Sequence, residues 1–447
     1  MPPDLDHSLH THSIAEILED HDYALQRVPS AQRHHWFATA VQRFGQKSSL
    51  SQFLLGAVLG FGMPFWDAFW ALTLGSVILE AVLIFVGIIG MREGLNTSVL
   101  TRWTGFGTGG SLLVGLCIGI SLIGWFGIQS GVSAKGLTVL LPFFSESMWS
   151  LIFGLLVTAV AMRGFSSMQW VANVTVPLFL LLVSWSIFSA LQYQSLTELM
   201  ARAPDGPALS MIQGISLVTG GFIVGAIIAP DMTRYNRSVV DVVKQAVLGV
   251  TLGEYSLGLA GVLLAHAAHT PDIAHIVTTS IGWVGIFVIL LGTFKINDWN
   301  LYSAGLSVVN FIDAMFAIKV NRTLVTASIG VLGSLLGALG MLNHYVNYLT
   351  WLGILFPPIG GIIVAEYFVV KKWRTQLDSA PNTLPVSAPV WVPASLVIWV
   401  LAALIGYYVP IGVPSINSIA GAFVLYVIAG RFGWIRGVGD HQTNVDQ

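Results

Sequence analysis

Between Trp36 and Phe432 the sequence is a succession of apolar stretches, each about 20 residues long, the length of a membrane-crossing helix. Hydrocarbon offers no water to backbone N–H and C=O groups, so any segment placed there must satisfy them within its own structure. Charged residues make up 9% of the 447 positions and hydrophobic residues 55%, against about 25% charged in a soluble domain. Such a chain cannot clothe a globule in water, and the length accommodates about a dozen spans. The expected architecture is an all-α membrane protein with residues 1–35 as a cytoplasmic tail, 36–435 as the transmembrane domain and 436–447 as a second tail.

The places where polarity interrupts this pattern carry the functional information. The stretch Leu290–Gly305, LLGTFKINDWNLYSAG, brings Lys295, Asn297, Asp298 and Asn300 into an apolar segment. A charge at the bilayer centre costs about 2.5–3.5 kcal/mol on the mildest scale, so such residues persist where they face a cavity, a partner or a pathway. Lys295 has two readings, a coupling group or a structural ion pair with Asp298. The first span, about Trp36–Gly62, holds Arg43, Gln46, Lys47, Ser48, Ser49, Ser51 and Gln52. That content predicts a helix broken near Gly45–Ser49, with loose backbone lining a cavity. Arg43 and Lys47 share one helix face; Arg43 either snorkels to the interface or joins Lys47 at the cavity. Span six, about Met211–Pro230, has a second candidate break at Thr219-Gly220-Gly221.

The other spans fall at about Asp67–Met91, Gly110–Ser133, Met148–Met162, Met168–Leu191, Val243–Ala265, Ile276–Phe311, Leu324–Met341, Tyr345–Val370, Val390–Val409 and Ile416–Phe432. With the N-terminus inside, every loop lysine and arginine except Lys135 and Arg202 faces the cytoplasm, which favours an even number of spans and both termini inside. Spans one and six occupy matching places if 36–191 and 211–370 are two copies of opposite orientation, followed by two extra helices at 390–435. Gly-interrupted segments at corresponding places in two halves point to a transporter's binding site.

Several features read as structural. Glu80, Glu254 and Glu366 fit caps or pairs within the bundle, and Glu254 also fits a proton relay. The loop histidines His266, His269 and His275 and the tail histidines His7, His10 and His12 have loose metal-ligand spacing that solvation explains equally well. Cys117 is the single cysteine and forms no internal disulfide. Residues 1–35 lack the apolar core of a cleavable signal. No basic run suits nucleic acid, and no nucleophile motif, phosphate loop or HExxH supports an enzyme. No cofactor is expected.

The motifs GAVLGFGMPFWDAF, LIGWFG, GGFIVGAIIAPDMTRYNRS, INDWNLYSAGL and FPPIGGIIVAEY occur in this order. Through them, residues 40–430 resemble the nucleobase:cation symporter-1 family, in its purine/cytosine permease branch. The resemblance implies a LeuT-like five-plus-five inverted repeat plus two helices, and uptake of a nucleobase or related heterocycle coupled to H+ or Na+. It assigns Trp125 and Phe222 to a sandwich around the ring and Asn297 to the ring edge. A flat polar ring wants aromatic faces and a donor–acceptor amide. Leu122 and Gly221 stand where the branch has a glutamine and a serine on the base, which points to a larger or less polar heterocycle. Gly292, Lys295 and Ile296 stand at the family's sodium ligands. An ammonium cannot coordinate a cation, so Lys295 is expected to replace the sodium ion. The expected substrate site therefore comprises Trp125, Phe222, Asn297, Gly221, Leu122, Ser48 and Ser49, with Lys295, Asp298 and Lys47 in coupling. An inner-membrane monomer is expected; the alternatives are a carrier of amino-acid-like or carboxylate solutes, a channel-like passage and a non-transporting sensor.

Overall fold

The first span breaks within its run of hydroxyl residues. Helix α1 (Trp36–Lys47) gives way at Ser48, and Ser49 is fully extended, φ −127° and ψ 161°, before α2 (Leu50–Gly62) begins. Serine side chains compete with helical backbone bonds and so favour ends over interiors. The structure, a computed structural model, describes residues 23, 26–162 and 168–442; His7, His10 and His12 lie outside the described residues.

Helix α3 (Phe65–Glu93) opens after Pro64 and ends at Gly94 in the left-handed region, φ 64°. Next come α4 (Gly107–Leu140), α5 (Glu146–Ala161) and α6 (Met168–Tyr193). Helix α7 (Met211–Ile227) is opened by a reciprocal Ser210–Gln213 cap. Helices α8 (Val239–Gly253) and α9 (Ala260–Ala268) are joined by a π-helical turn at Glu254–Leu259. A short α10 (Ile273–Ile281) precedes α11 (Trp283–Phe316) and α12 (Arg322–Ala338). Helices α13 (Tyr345–Leu355) and α14 (Pro357–Ala365) form a broken tenth span, since Pro357 and Pro358 have no N–H to continue the ladder at Phe356. The last helices, α15 (Pro393–Tyr408) and α16 (Pro414–Arg431), pack on each other.

Three features depart from the sequence reading. Span six is not broken at Thr219-Gly220-Gly221: α7 runs through all three and leaves helical geometry only at Ile228. Its glycine serves packing, because a Cβ on Gly220 would lie 1.9 Å from the Leu349 carbonyl oxygen of α13. Small residues let membrane helices approach this closely. Span eight is shorter than drawn, because Gly282, φ 71°, separates α10 from α11. The fold is also not purely helical. Strand β1 (Ser387–Trp391) pairs antiparallel with β2 (Val438–Gln442), Ser387 opposite Gln442 and Trp391 opposite Val438. Strand β1 lies on the start of α4. The Trp103 indole donates to Ser387 O at 3.0 Å, and Gly107, φ 77°, has no room for a Cβ against Val390 O.

Packing sorts the spans into two groups. Helices α1, α2, α3, α7, α8 and α9 contact one another, and α4, α5, α11 and α12 contact one another, with α11 lying along α4. Helix α13 leans on α7, while α6 lies on α11. Glycines make the first group tight: Gly56 faces the Gly258 backbone, and Gly261 faces that of Phe53. Outside the bundle, Trp66, Trp70, Val77 and Phe85 of α3 are exposed, the apolar face a lipid-facing helix presents. Five helical stretches among the described residues are long and apolar enough to cross a membrane: Phe65–Glu93, Gly107–Leu140, Val239–Ala268, Trp283–Phe316 and Met341–Val370.

Candidate functional site

The break between α1 and α2 opens onto a small cavity. Gln46, Lys47, Ser49, Ser51, Gln52 and Leu55 from the broken span form one wall. Gly221 and Phe222 of α7, Trp125 of α4 and Tyr345 of α13 form the others. The cavity thus lies between the two helix groups. Its chemistry is divided, polar along the first span and aromatic opposite.

The polar wall is built on a closed triangle of side chains. Lys47 (2% exposed) pairs with Glu254 (0% exposed), the first residue of the π-helical turn. The Lys47 ammonium also donates to Gln52 Oε1 at 3.0 Å, and Gln52 Nε2 donates to the second oxygen of Glu254. Both Gln52 partners are one-sided, donor only and acceptor only, so the amide orientation is fixed. The ammonium lies over the Phe222 ring, 4.5 Å from its centroid. Burying two charges is repaid only when geometry and extra hydrogen bonds are good, and the triangle supplies both. Gly253 and Gly249 make room for it and for its neighbour. A Cβ at Gly253 would lie 2.3 Å from Lys47 Cβ, and one at Gly249 2.6 Å from Arg43 Cγ. Arg43 does not snorkel. It is 1% exposed, and Nη1 donates to Gly225 O at 3.3 Å and Gln46 Oε1 at 3.2 Å.

The aromatic wall is braced from behind. Trp125 meets Tyr345 and Tyr348 edge-on, with ring centroids 6.1 and 5.5 Å away. The Tyr348 hydroxyl donates to Ser121 O in the same helix as Trp125, and the Tyr345 hydroxyl donates to Ser51 O at 3.3 Å. One turn after Trp125, Gln129 donates from Nε2 to Ser51 Oγ at 2.5 Å, and its buried Oε1 has no partner among the described residues. An indole fixed by two tyrosines is a rigid face for a flat ring.

The structure brings Trp125, Phe222, Gly221, Ser49 and Lys47 together at the cavity. Ser48 is buried beside it, and its Oγ has no partner among the described residues. The span-eight residues lie elsewhere. Asn297 (0% exposed) donates from Nδ2 to Phe126 O at 3.1 Å and Ser130 Oγ at 3.2 Å. Its amide donors therefore tie α11 to α4, and Asn297 is not among the residues that line the cavity. Leu122 packs in the apolar cluster with Phe126, Leu301 and Ile329. Lys295 is partly buried on α11 without an ion pair among the described residues, so the Lys295–Asp298 pair is not formed. Ser133 and Thr293, 2.5 Å apart, tie α4 to α11 at the same level.

Among the described residues, no group of three or more His, Cys, Asp or Glu is placed to hold a metal. His266 is buried, with its ring nitrogens at Leu199 O and Met63 O, so it is a structural tie and not a solvated loop residue. Glu366 accepts from the Trp373 amide and the Tyr426 hydroxyl, and Glu80 from Thr251. Sequence reasoning passed over Ser51, Gln52, Gln129 and Tyr345 as site residues. Gln52 and Gln129 had a signal, an amide inside an apolar run, but nothing marked the Ser51 backbone or Tyr345.

Residues 27–433 match the family of permeases for cytosine/purines, uracil, thiamine and allantoin. The chain belongs to that family. It is similar to the cytosine permease of Escherichia coli (strain K12), 27% identical over 418 residues, covering 92% of this chain and 94% of that protein. It is also similar to the hydantoin permease of Microbacterium maritypicum, 24% identical over 371 residues, covering 76% and 73%. Among solved structures, the inward-facing conformation of Mhp1 superposes with a TM-score of 0.79 at 18% identity, covering 93% of this chain and 98% of that one. Mhp1 in a closed conformation with bromovinylhydantoin bound, described as a nucleobase-cation-symport-1 family transporter, superposes at 0.70 with 20% identity, covering 92% and 95%. The fold is thus the LeuT-like arrangement of multi-pass membrane carriers.

Proposed function

We propose that the protein is a secondary active transporter that imports a nucleobase or related planar heterocycle by alternating access. The observation that carries this reading is the cavity itself. It lies at a helix break, between two packed groups of spans, with Trp125 on one group and Phe222 on the other. A ring held between those two faces would be exposed to either side as the groups rock, and the broken first span supplies polar groups for its edge. The relatives named for cytosine and for hydantoin support a small flat solute. The carrier acts as a monomer in the cytoplasmic membrane with both termini inside, performs no covalent chemistry, and couples to H+ or Na+. Lys295, without an ion pair among the described residues, is the proposed coupling group.

Uptake into proteoliposomes tests this. Labelled uracil, cytosine, hypoxanthine, hydantoin and an amino acid are offered with an imposed sodium or proton gradient. The expected result is saturable accumulation of a heterocycle above equilibrium, abolished by collapsing one gradient. Equilibration without concentration would indicate a channel, and binding without accumulation a sensor. Saturable stimulation by sodium would remove Lys295 from the coupling role.

A further inference from the structure

We propose that Lys47 determines specificity by presenting a hydrogen-bond donor to a ring carbonyl or deprotonated ring nitrogen, so that oxo heterocycles are preferred over amino heterocycles. The inference rests on the reading of the cavity as the substrate site. It follows from counting what the polar wall has left to offer. An ammonium has three N–H donors and no acceptor. Glu254 takes one and Gln52 Oε1 a second, and among the described residues the third has no oxygen or nitrogen acceptor, the ammonium lying over the Phe222 ring where Lys47 lines the cavity.

The neighbouring amides are biased the same way. The Oε1 of Gln52 is consumed by Lys47, and that of Gln46 by Arg43 at 3.2 Å. Gln52 Nε2 keeps one N–H beyond the one it gives to Glu254, and Gln46 keeps its amide N–H groups. Glu254, the one carboxylate in the triangle, is absent from the cavity lining and spends both oxygens on Lys47 and Gln52. Around Lys47 the wall is thus richer in N–H donors than in carboxylate acceptors, with the Ser49 and Ser51 hydroxyls beside them. A ring carbonyl meets complementary groups there. An exocyclic amino group meets other donors and is desolvated without a partner, which is the asymmetry that lets a polar site reject a near-isostere strongly. Lys47 is also fixed in place: Gly253 admits its stem, Phe222 lies under its head and Glu254 orients it. A side chain so held discriminates because it cannot swing away to suit the wrong ring.

The test uses matched pairs that differ by an oxo or an amino group, uracil against cytosine and hypoxanthine against adenine, with affinities measured calorimetrically on the purified full chain. The wild-type protein is expected to bind the oxo member of at least one pair about tenfold more tightly. Lys47→Met would strand Glu254, so the informative variant is Lys47→Met with Glu254→Met, in which the oxo preference is expected to fall to about twofold while base binding persists. Equal or tighter binding of the amino members by the wild-type protein overturns the inference and leaves the transport reading intact. A preference unchanged in the double variant does the same. Failure of all four bases to bind overturns both. If the double variant does not fold, the wild-type ratio decides alone.

Discussion

Trp125, Phe222 and Lys47 illustrate what single residues disclose in a membrane sequence: polar and aromatic groups within apolar runs need a reason, and the cavity supplies it. Trp125→Ala removes a half-buried aromatic face and is expected to weaken a flat ligand by roughly 10-fold or more, at about 1.5–3 kcal/mol for burying a large apolar side chain. Calorimetry on a planar and a non-planar ligand checks this, and an equal loss for both would argue against stacking. Asn297 shows the limit of such reading. Its polarity demanded a partner, but the sequence could not say whether that partner was a solute or the Phe126 carbonyl of the adjacent helix. Asn297→Ala is accordingly expected to cost about 1–2 kcal/mol of stability through its lost hydrogen bonds. It should lower the thermal midpoint by a few degrees with ligand affinity held within about twofold, and abolished binding in a folded variant would return Asn297 to the site. Gln129 was hidden for the converse reason: its amide lay just beyond a motif already explained by the neighbouring tryptophan.

At the level of helices, the first-span break was legible because three serines and two amides crowd one segment. The unbroken α7 was not, because a glycine pair reads the same whether it loosens a backbone or admits a neighbour. Space around the two glycines separates these roles. A Cβ on Gly220 would lie 1.9 Å from the Leu349 carbonyl oxygen, whereas one on Gly221 meets Leu55 Cδ2 at an ordinary 3.4 Å. Gly220→Ala must push α7 off α13 and is expected to cost at least about 1–3 kcal/mol, with uptake lost. Gly221→Ala should fold like the wild type and merely narrow the cavity. Thermal unfolding of the two variants decides, and equal stability would mean the α7–α13 crossing is softer than described. The π-helical turn that aims Glu254 at Lys47 had no sequence marker, since it depends on how α8 and α9 pack around α2.

For the molecule as a whole, hydropathy predicted the span succession, whereas the sorting of spans into two groups needed coordinates because the halves show no residue-level repeat. The small sheet was equally hidden, for its strands are separated in sequence by two helices. Its position has a consequence. Strand β2 holds β1, β1 sits on the first turn of α4, and α4 carries Trp125 about 27 Å further along its axis. A chain shortened to end at Arg431 is expected to insert and fold, yet to bind a flat ligand several-fold more weakly, whereas equal affinity would make the pairing purely local. Since β2 leaves the ribosome long after α4, the aromatic face of the cavity would be set firmly only once both α15 and α16 have been made, so that a nascent carrier stays unable to grip a flat cargo until those helices are in place.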